Sequence, residues 1–160
     1  MRLRELTPSD LPAITDLNNA ATPAVPVMTE EGLGAVLAAS SAGFAAVDED
    51  EVIGFVIAFA TGSDYASPNY RYFEERGTDH LYVDRIVVAE SARGMRVGQA
   101  LYERVVELAV ANSRVEVTCE VNLDPPNPGS LAFHDRMGFR EVGRQQTDYA
   151  TVALLARPLS

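Results

Sequence analysis

Apolar and polar positions change period several times along the chain, and each change marks an element. Residues Met1 to Leu6 alternate apolar and charged as a short strand does. Thr7-Pro8 then reads as a helix cap and first helical residue, with Leu11, Ile14 and Leu17 on one stripe and an end near Asn19. After a proline-bearing loop from Ala21 to Val27, Thr29-Glu30-Glu31 opens a second helix to about Ala39. Phe44 to Val47 and Glu51 to Phe59 are apolar runs around the acidic turn Asp48-Glu49-Asp50, which predicts a hairpin. Thr61 to His80 has no clean period and reads as a long functional loop. Leu81 to Val88 is a strongly apolar strand, Arg96 to Ala111 an amphipathic helix, and Val115 to Val121 a further strand. Asn127-Pro128 starts a helix that stops at Met137-Gly138, and strands near Phe139 to Gln145 and Asp148 to Ala156 finish the order β-α-α-β-β-β-α-β-α-β-β.

Composition narrows what such a domain can do. Of 160 residues, 13 are basic, every one an Arg, and 23 are acidic, for a net charge of −10. The lack of lysine excludes phosphate-loop NTPase, Schiff-base and kinase-like chemistry, all of which use a Lys amine. The acidity disfavours nucleic acid as a partner. Residues 1–80 hold 4 Arg against 13 acids and residues 81–160 hold 9 Arg against 10, so a bound anion belongs to the second half. One Cys, no zinc spacing and no long apolar run predict a cytoplasmic protein without metal, disulfide or membrane span, folded as a single domain over residues 1–160.

Two stretches carry chemistry. The first is Arg93-Gly94-Met95-Arg96-Val97-Gly98-Gln99, a turn between a strand and a helix, where unpaired backbone amides meet the positive end of a helix dipole and two arginines. The second is Asn127-Pro128-Gly129-Ser130, followed by Phe133-His134 and closed by Gly138-Phe139. Together with the element order they resemble the GNAT superfamily of acetyl-CoA-dependent N-acetyltransferases. Arg93 and Gly98 match the family's phosphate turn, while Arg96 replaces its first glycine. Asn127, Ser130, Gly138 and Phe139 match the later pattern, while His134 stands where the family has Tyr.

The resemblance implies an α+β fold, a mostly antiparallel twisted sheet of about seven strands flanked by about four helices. It implies acetyl-CoA as cofactor and acetyl transfer to a primary amine of a small molecule or peptide. The coenzyme would lie along Ile86, Val87 and Val88, with its pyrophosphate on residues 93–99, Arg96 being acceptable there if its φ stays negative, and with Asn127, Ser130 and Phe133 beside its arm. Asn127 reads equally as a plain helix cap.

Asp84 in an apolar strand, with Tyr82 on the same face, is the candidate base; pairing with Arg85 is the competing explanation. His134 can act as acid, base or packed ring, and Tyr149 is a second candidate acid. Tyr65, Tyr70, Tyr72, Phe73 and His80 are the expected acceptor pocket, against the alternative of a lid packing its own aromatics. A non-catalytic acyl-CoA-binding or sensor domain is the alternative function. A homodimer stays open, and neither nucleic acid nor membrane is an expected partner.

Overall fold

The computed structural model describes residues 1–159. Seven strands form one sheet: β1 (Arg2–Glu5), β2 (Ala42–Asp48), β3 (Glu51–Ala60), β4 (His80–Val88), β5 (Glu116–Asp124), β6 (Arg140–Gln146) and β7 (Thr151–Pro158). They lie in the order β1-β2-β3-β4-β5-β7-β6. Every pairing is antiparallel except β4 with β5. Five helices cover the faces: α1 (Leu11–Ala20), α2 (Glu30–Ala39), α3 (Pro68–Arg76), α4 (Val97–Ala111) and α5 (Pro128–Arg136). The architecture is α+β, as the element order predicts, with one helix more than expected.

The additional helix is α3, inside the stretch read as a loop. Ser67 caps it by accepting the Tyr70 amide, Pro68 occupies the first turn, and Gly77 ends it at φ 81°. Its stripe consists of Tyr70 and Phe73 set among charges, too short for a periodic signal.

Alternation along the strands builds two cores. Phe44, Val56, Leu81, Val83 and Val117 pack on one face beneath α4, through Val97, Leu101 and Val105. Phe55, Ile57, Phe59 and Tyr82 pack on the other, with Ile14, Leu33 and the α3 aromatics. Close approach of α4 to the sheet requires Gly54, whose added Cβ would lie 2.8 Å from a Val97 methyl.

The sheet is interrupted where function is expected. β4 and β5 pair over His80–Glu116, Leu81–Val117 and Tyr82–Thr118, and no further. On the other edge of β4, the register jumps between Arg85–Ile57 and Val83–Ala58, leaving Asp84 as an extra, unpaired residue. Such a bulge bends a strand and raises its twist, and here it turns β4 away from β5. A gap opens through the middle of the sheet, with unpaired backbone on both lips. Among the described residues no helix is long and apolar enough to cross a membrane. Nor do three or more His, Cys, Asp or Glu side chains converge to hold a metal ion.

Candidate active site

The gap between β4 and β5 is the centre of an open cleft of about 410 Å³. Strand alternation assigns its walls to two sides of the sheet. Val83, Ile86, Cys119 and Val121 face the α4 side, where Tyr102, Asn127, Ser130 and His134 complete the wall. Arg85, Glu120, Asn122 and Val152 belong to the α1–α3 side, with Tyr65, Asn69 and the loop residues Ala24, Val25 and Pro26. Two reactants can therefore enter from opposite faces and meet at the gap.

The α4 side leads to an anion cradle. The chain turns through Gly94 at φ 87° and Arg96 at φ 59°, then enters α4 with no side-chain cap. Met95 N–H is spent on the Ala92 carbonyl, whereas the amides of Arg96, Val97, Gly98 and Gln99 find no acceptor among the described residues. These amides and the positive end of a fifteen-residue helix suit a pyrophosphate. Arg96 does not keep the negative φ expected of it. It takes the left-handed conformation that glycine adopts freely, at a cost of roughly 1–2 kcal/mol for an L side chain. Gly98 serves packing as well, since a Cβ there would sit 3.1 Å from the Phe133 ring.

Other coenzyme candidates divide. Ile86 faces the cleft, but Val87 turns its side chain into the opposite core and Val88 lies beyond the cleft wall. Asn127 lines the cleft while its Oδ1 accepts the Ser130 amide at 3.3 Å, so cap and cleft roles coexist. Phe133 stays behind the wall, against Gly98 and Tyr102.

His134 is buried with both ring nitrogens engaged. Nδ1 faces the Ser130 carbonyl at 2.7 Å, which can only accept, so Nδ1 carries the hydrogen. Nε2 then accepts from the Tyr102 hydroxyl at 2.6 Å. Burial pushes the His134 pKa below its usual value and keeps the ring neutral at pH 7. The ring therefore presents no acidic proton to the cleft. The hydroxyl that holds the ring belongs to Tyr102 of α4, a buried residue of the cleft wall that the sequence reading did not single out.

On the other side, Asp84 is an ion-pair member. Its Oδ2 accepts Arg85 Nε at 2.8 Å and its Oδ1 accepts the Tyr65 hydroxyl at 2.6 Å, with both charged side chains buried. Tyr82 is fully buried and donates to Glu120, at 2.6 Å to Oε1 and 2.8 Å to Oε2. Asn69 adds a third donor at 3.1 Å. Even so, burial pushes the Glu120 pKa up to about 8, helped by the Asp84 charge and opposed by Tyr82, Asn69 and Arg85. The sequence reading missed Glu120. Its signal was the alternation Thr118, Glu120, Asn122 against Val117, Cys119, Val121.

Of the expected acceptor residues, Tyr65 alone lines the cleft, stacked on Phe59 at 3.9 Å. Tyr70, Phe73 and His80 are core residues, the last held by Glu74 at 2.7 Å and Thr118 at 3.0 Å. Tyr72 instead binds the Val142 carbonyl and packs against Gly143. Tyr149 lines the acceptor side, but its hydroxyl is committed to the Pro23 and Val25 carbonyls.

The model of the Acetyltransferase (GNAT) family matches residues 11–139, and the chain belongs to that family. Solved structures share its fold at low identity. Ard1 from Thermoplasma volcanium has a TM-score of 0.78 at 18% identity, over 99% of this chain and 97% of that one. The ribosomal-protein-S18-alanine N-acetyltransferase of Escherichia coli gives 0.76 at 16%, over 99% and 94%. A phosphinothricin acetyltransferase from Sinorhizobium meliloti, solved with acetyl-CoA, gives 0.73 at 20%, over 99% and 88%. No curated protein is matched by the sequence.

Proposed function

We propose that the protein transfers an acetyl group from acetyl-CoA directly to a primary amine of a small molecule or peptide, with Glu120 as general base. The observation that carries this reading is the Glu120 carboxyl on the lip of the gap, its pKa pushed up to about 8. A carboxylate in that range can take a proton from an ammonium near neutral pH, which an ordinary carboxylate does poorly. Asp84 is less suited to the task, because its carboxylate is paired with the buried Arg85 cation, which holds it in the charged form.

Acetyl-CoA would supply an activated acyl group on a thiol leaving group of pKa about 8.5. The residues present fit it: four free amides at the start of α4 for the pyrophosphate, flanked by Arg93 and Arg96. The unpaired β4 edge supports the arm. Glu120 takes one proton from the ammonium so that the free amine can attack, and the nitrogen gives its second proton to water as its bond to the acyl carbon forms and the carbon–sulfur bond breaks. The single Tyr102 hydroxyl hydrogen, which rests on His134 Nε2, turns to the charge that builds on sulfur, and the sulfur takes its proton from water after release.

Turnover measured as thiol release over an amine panel tests the reading. Amine-dependent release is expected. Binding of coenzyme A without release across pH 6–9 would instead support a non-catalytic acyl-CoA-binding domain.

A further inference from the structure

The acceptor side holds a charged group that proton transfer does not use. Arg85 is 9% exposed, and it lines the cleft. Its Nε donates to Asp84, and its Nη1 donates to Asn18 Oδ1 at 3.0 Å. Nη2 donates to nothing among the described residues. Both partners are themselves fixed. Asn18 gives its own amide hydrogens to the Pro26 carbonyl at 2.8 Å and to Asn19 at 3.1 Å, which aims its oxygen at Arg85. Asp84 is pinned from its other side by Tyr65.

The guanidinium is thus held at Nε and at Nη1, with the Nη2 donors left over in a side chain that lines the cleft. Nη2 is not sealed in the interior, so its donors are open to a ligand in the cleft, and a guanidinium suits a carboxylate or carbonyl oxygen. Arg85 and Glu120 stand on the two lips of the same gap, on the same side of the sheet. The Arg85 charge is close enough to act on the Glu120 titration. An acceptor whose nitrogen reaches Glu120 would therefore carry its neighbouring atoms past Arg85.

Resting on the acetyltransferase reading above, we propose that Arg85 binds the acceptor, its Nη2 receiving a carboxylate or carbonyl oxygen on the carbon beside the amine, so that the acceptor is of the α-amino acid class. The Asp84 pair then holds the fork in position and balances its charge. Asn18, at the end of α1, is its second positioning residue.

The test compares kcat/KM for a panel of free amino acids, their amides and their matched decarboxylated amines, in the wild type and in Arg85→Lys. Lysine keeps a cation against Asp84 and preserves the fold, which a thermal melt verifies, but it lacks the free Nη2 donors. In the wild type the preferred amino acid or amide should exceed its decarboxylated amine by ten- to a hundredfold, the range of one charge-assisted hydrogen bond. In Arg85→Lys that ratio should fall to about threefold or less, with the plain amine little changed. Free acid against amide identifies which oxygen is read. Calorimetric titration of the best amino acid into the coenzyme A complex should show the same loss of affinity. Equal use of amino acids and plain amines by the wild type overturns the proposal, as does an equal loss for every acceptor in Arg85→Lys. In both cases the acetyltransferase reading still stands. If the wild type acetylates no amine of any arm, both fall.

Discussion

Replacing Glu120 by Gln removes one proton site and keeps the shape of the side chain, so its effects can be worked out beforehand. Loss of a general base slows a reaction by about 10²–10⁴-fold, which is roughly 3–5 kcal/mol of barrier. In the wild type, kcat/KM should rise with pH through an apparent pKa of about 8, and Glu120→Gln should lose that limb. Stability moves in the opposite direction. The folded carboxyl titrates at about 8 against 4.5 when free, so the native state keeps a proton that the unfolded chain releases between those values. Glu120 therefore stabilises the fold fully below pH 4.5, and its contribution is lost as pH rises through 8. The full shift caps that loss at about 5 kcal/mol, and the part of Glu120 that water reaches from the cleft reduces it to roughly 1–3 kcal/mol. At about 2–4 °C per kcal/mol for this size, the wild-type Tm should fall relative to Glu120→Gln by about 2–12 °C between pH 5 and pH 9. Stopped assays of thiol release and melting curves across that range read both quantities. Activity within threefold of wild type in Glu120→Gln, or parallel melting curves, would refute the reasoning.

Four other substitutions separate the roles at the site. Arg96→Gly relieves a left-handed side chain at φ 59° and should raise stability by about 1 kcal/mol in urea denaturation; a loss would mean that the Arg96 side chain packs favourably. Tyr102→Phe should lower kcat about five- to thirtyfold while leaving the KM for acetyl-CoA within about twofold, the signature of one hydrogen bond made chiefly as charge builds on sulfur. His134→Ala should lower kcat evenly across pH, because the ring is neutral; a loss confined to below about pH 6.5 would restore His134 as the acid. Asp84→Asn should cost about 3–5 kcal/mol of stability by leaving Arg85 buried without its counter-charge, and unchanged stability with activity reduced a hundredfold would make Asp84 the base instead.

Local signals in the sequence led correctly to the strand-to-helix turn, the Asn127 cap and the final strands, because each depends on neighbours within about ten residues. The antiparallel hairpin around Asp48–Asp50 was legible for the same reason. Glu120 was not, since its value depends on which strand lies beside it and where the pairing stops. Nothing between residues 115 and 121 records that β4 leaves β5 after Tyr82 and Thr118. The acceptor aromatics misled for a related reason. Tyr70 and Phe73 belong to a nine-residue helix too short to show a period, and their burial is decided by β4 and β5 beneath them. His134 was found by motif, but its chemistry lies in Tyr102, thirty-two positions earlier, a contact that only the packing of α4 against α5 creates. The opposite holds for Asp84, where the pairing with Arg85 was readable from adjacency alone.

Chemical transfer at the gap between β4 and β5 is the central proposal. The most direct measurement incubates the purified protein with acetyl-CoA and an amine, following free thiol and the mass of the amine together. One acetylated amine should appear for each thiol released, with no release when the amine is left out. Thiol release that ignores the amine, or coenzyme A binding with no acetylated product, would contradict it.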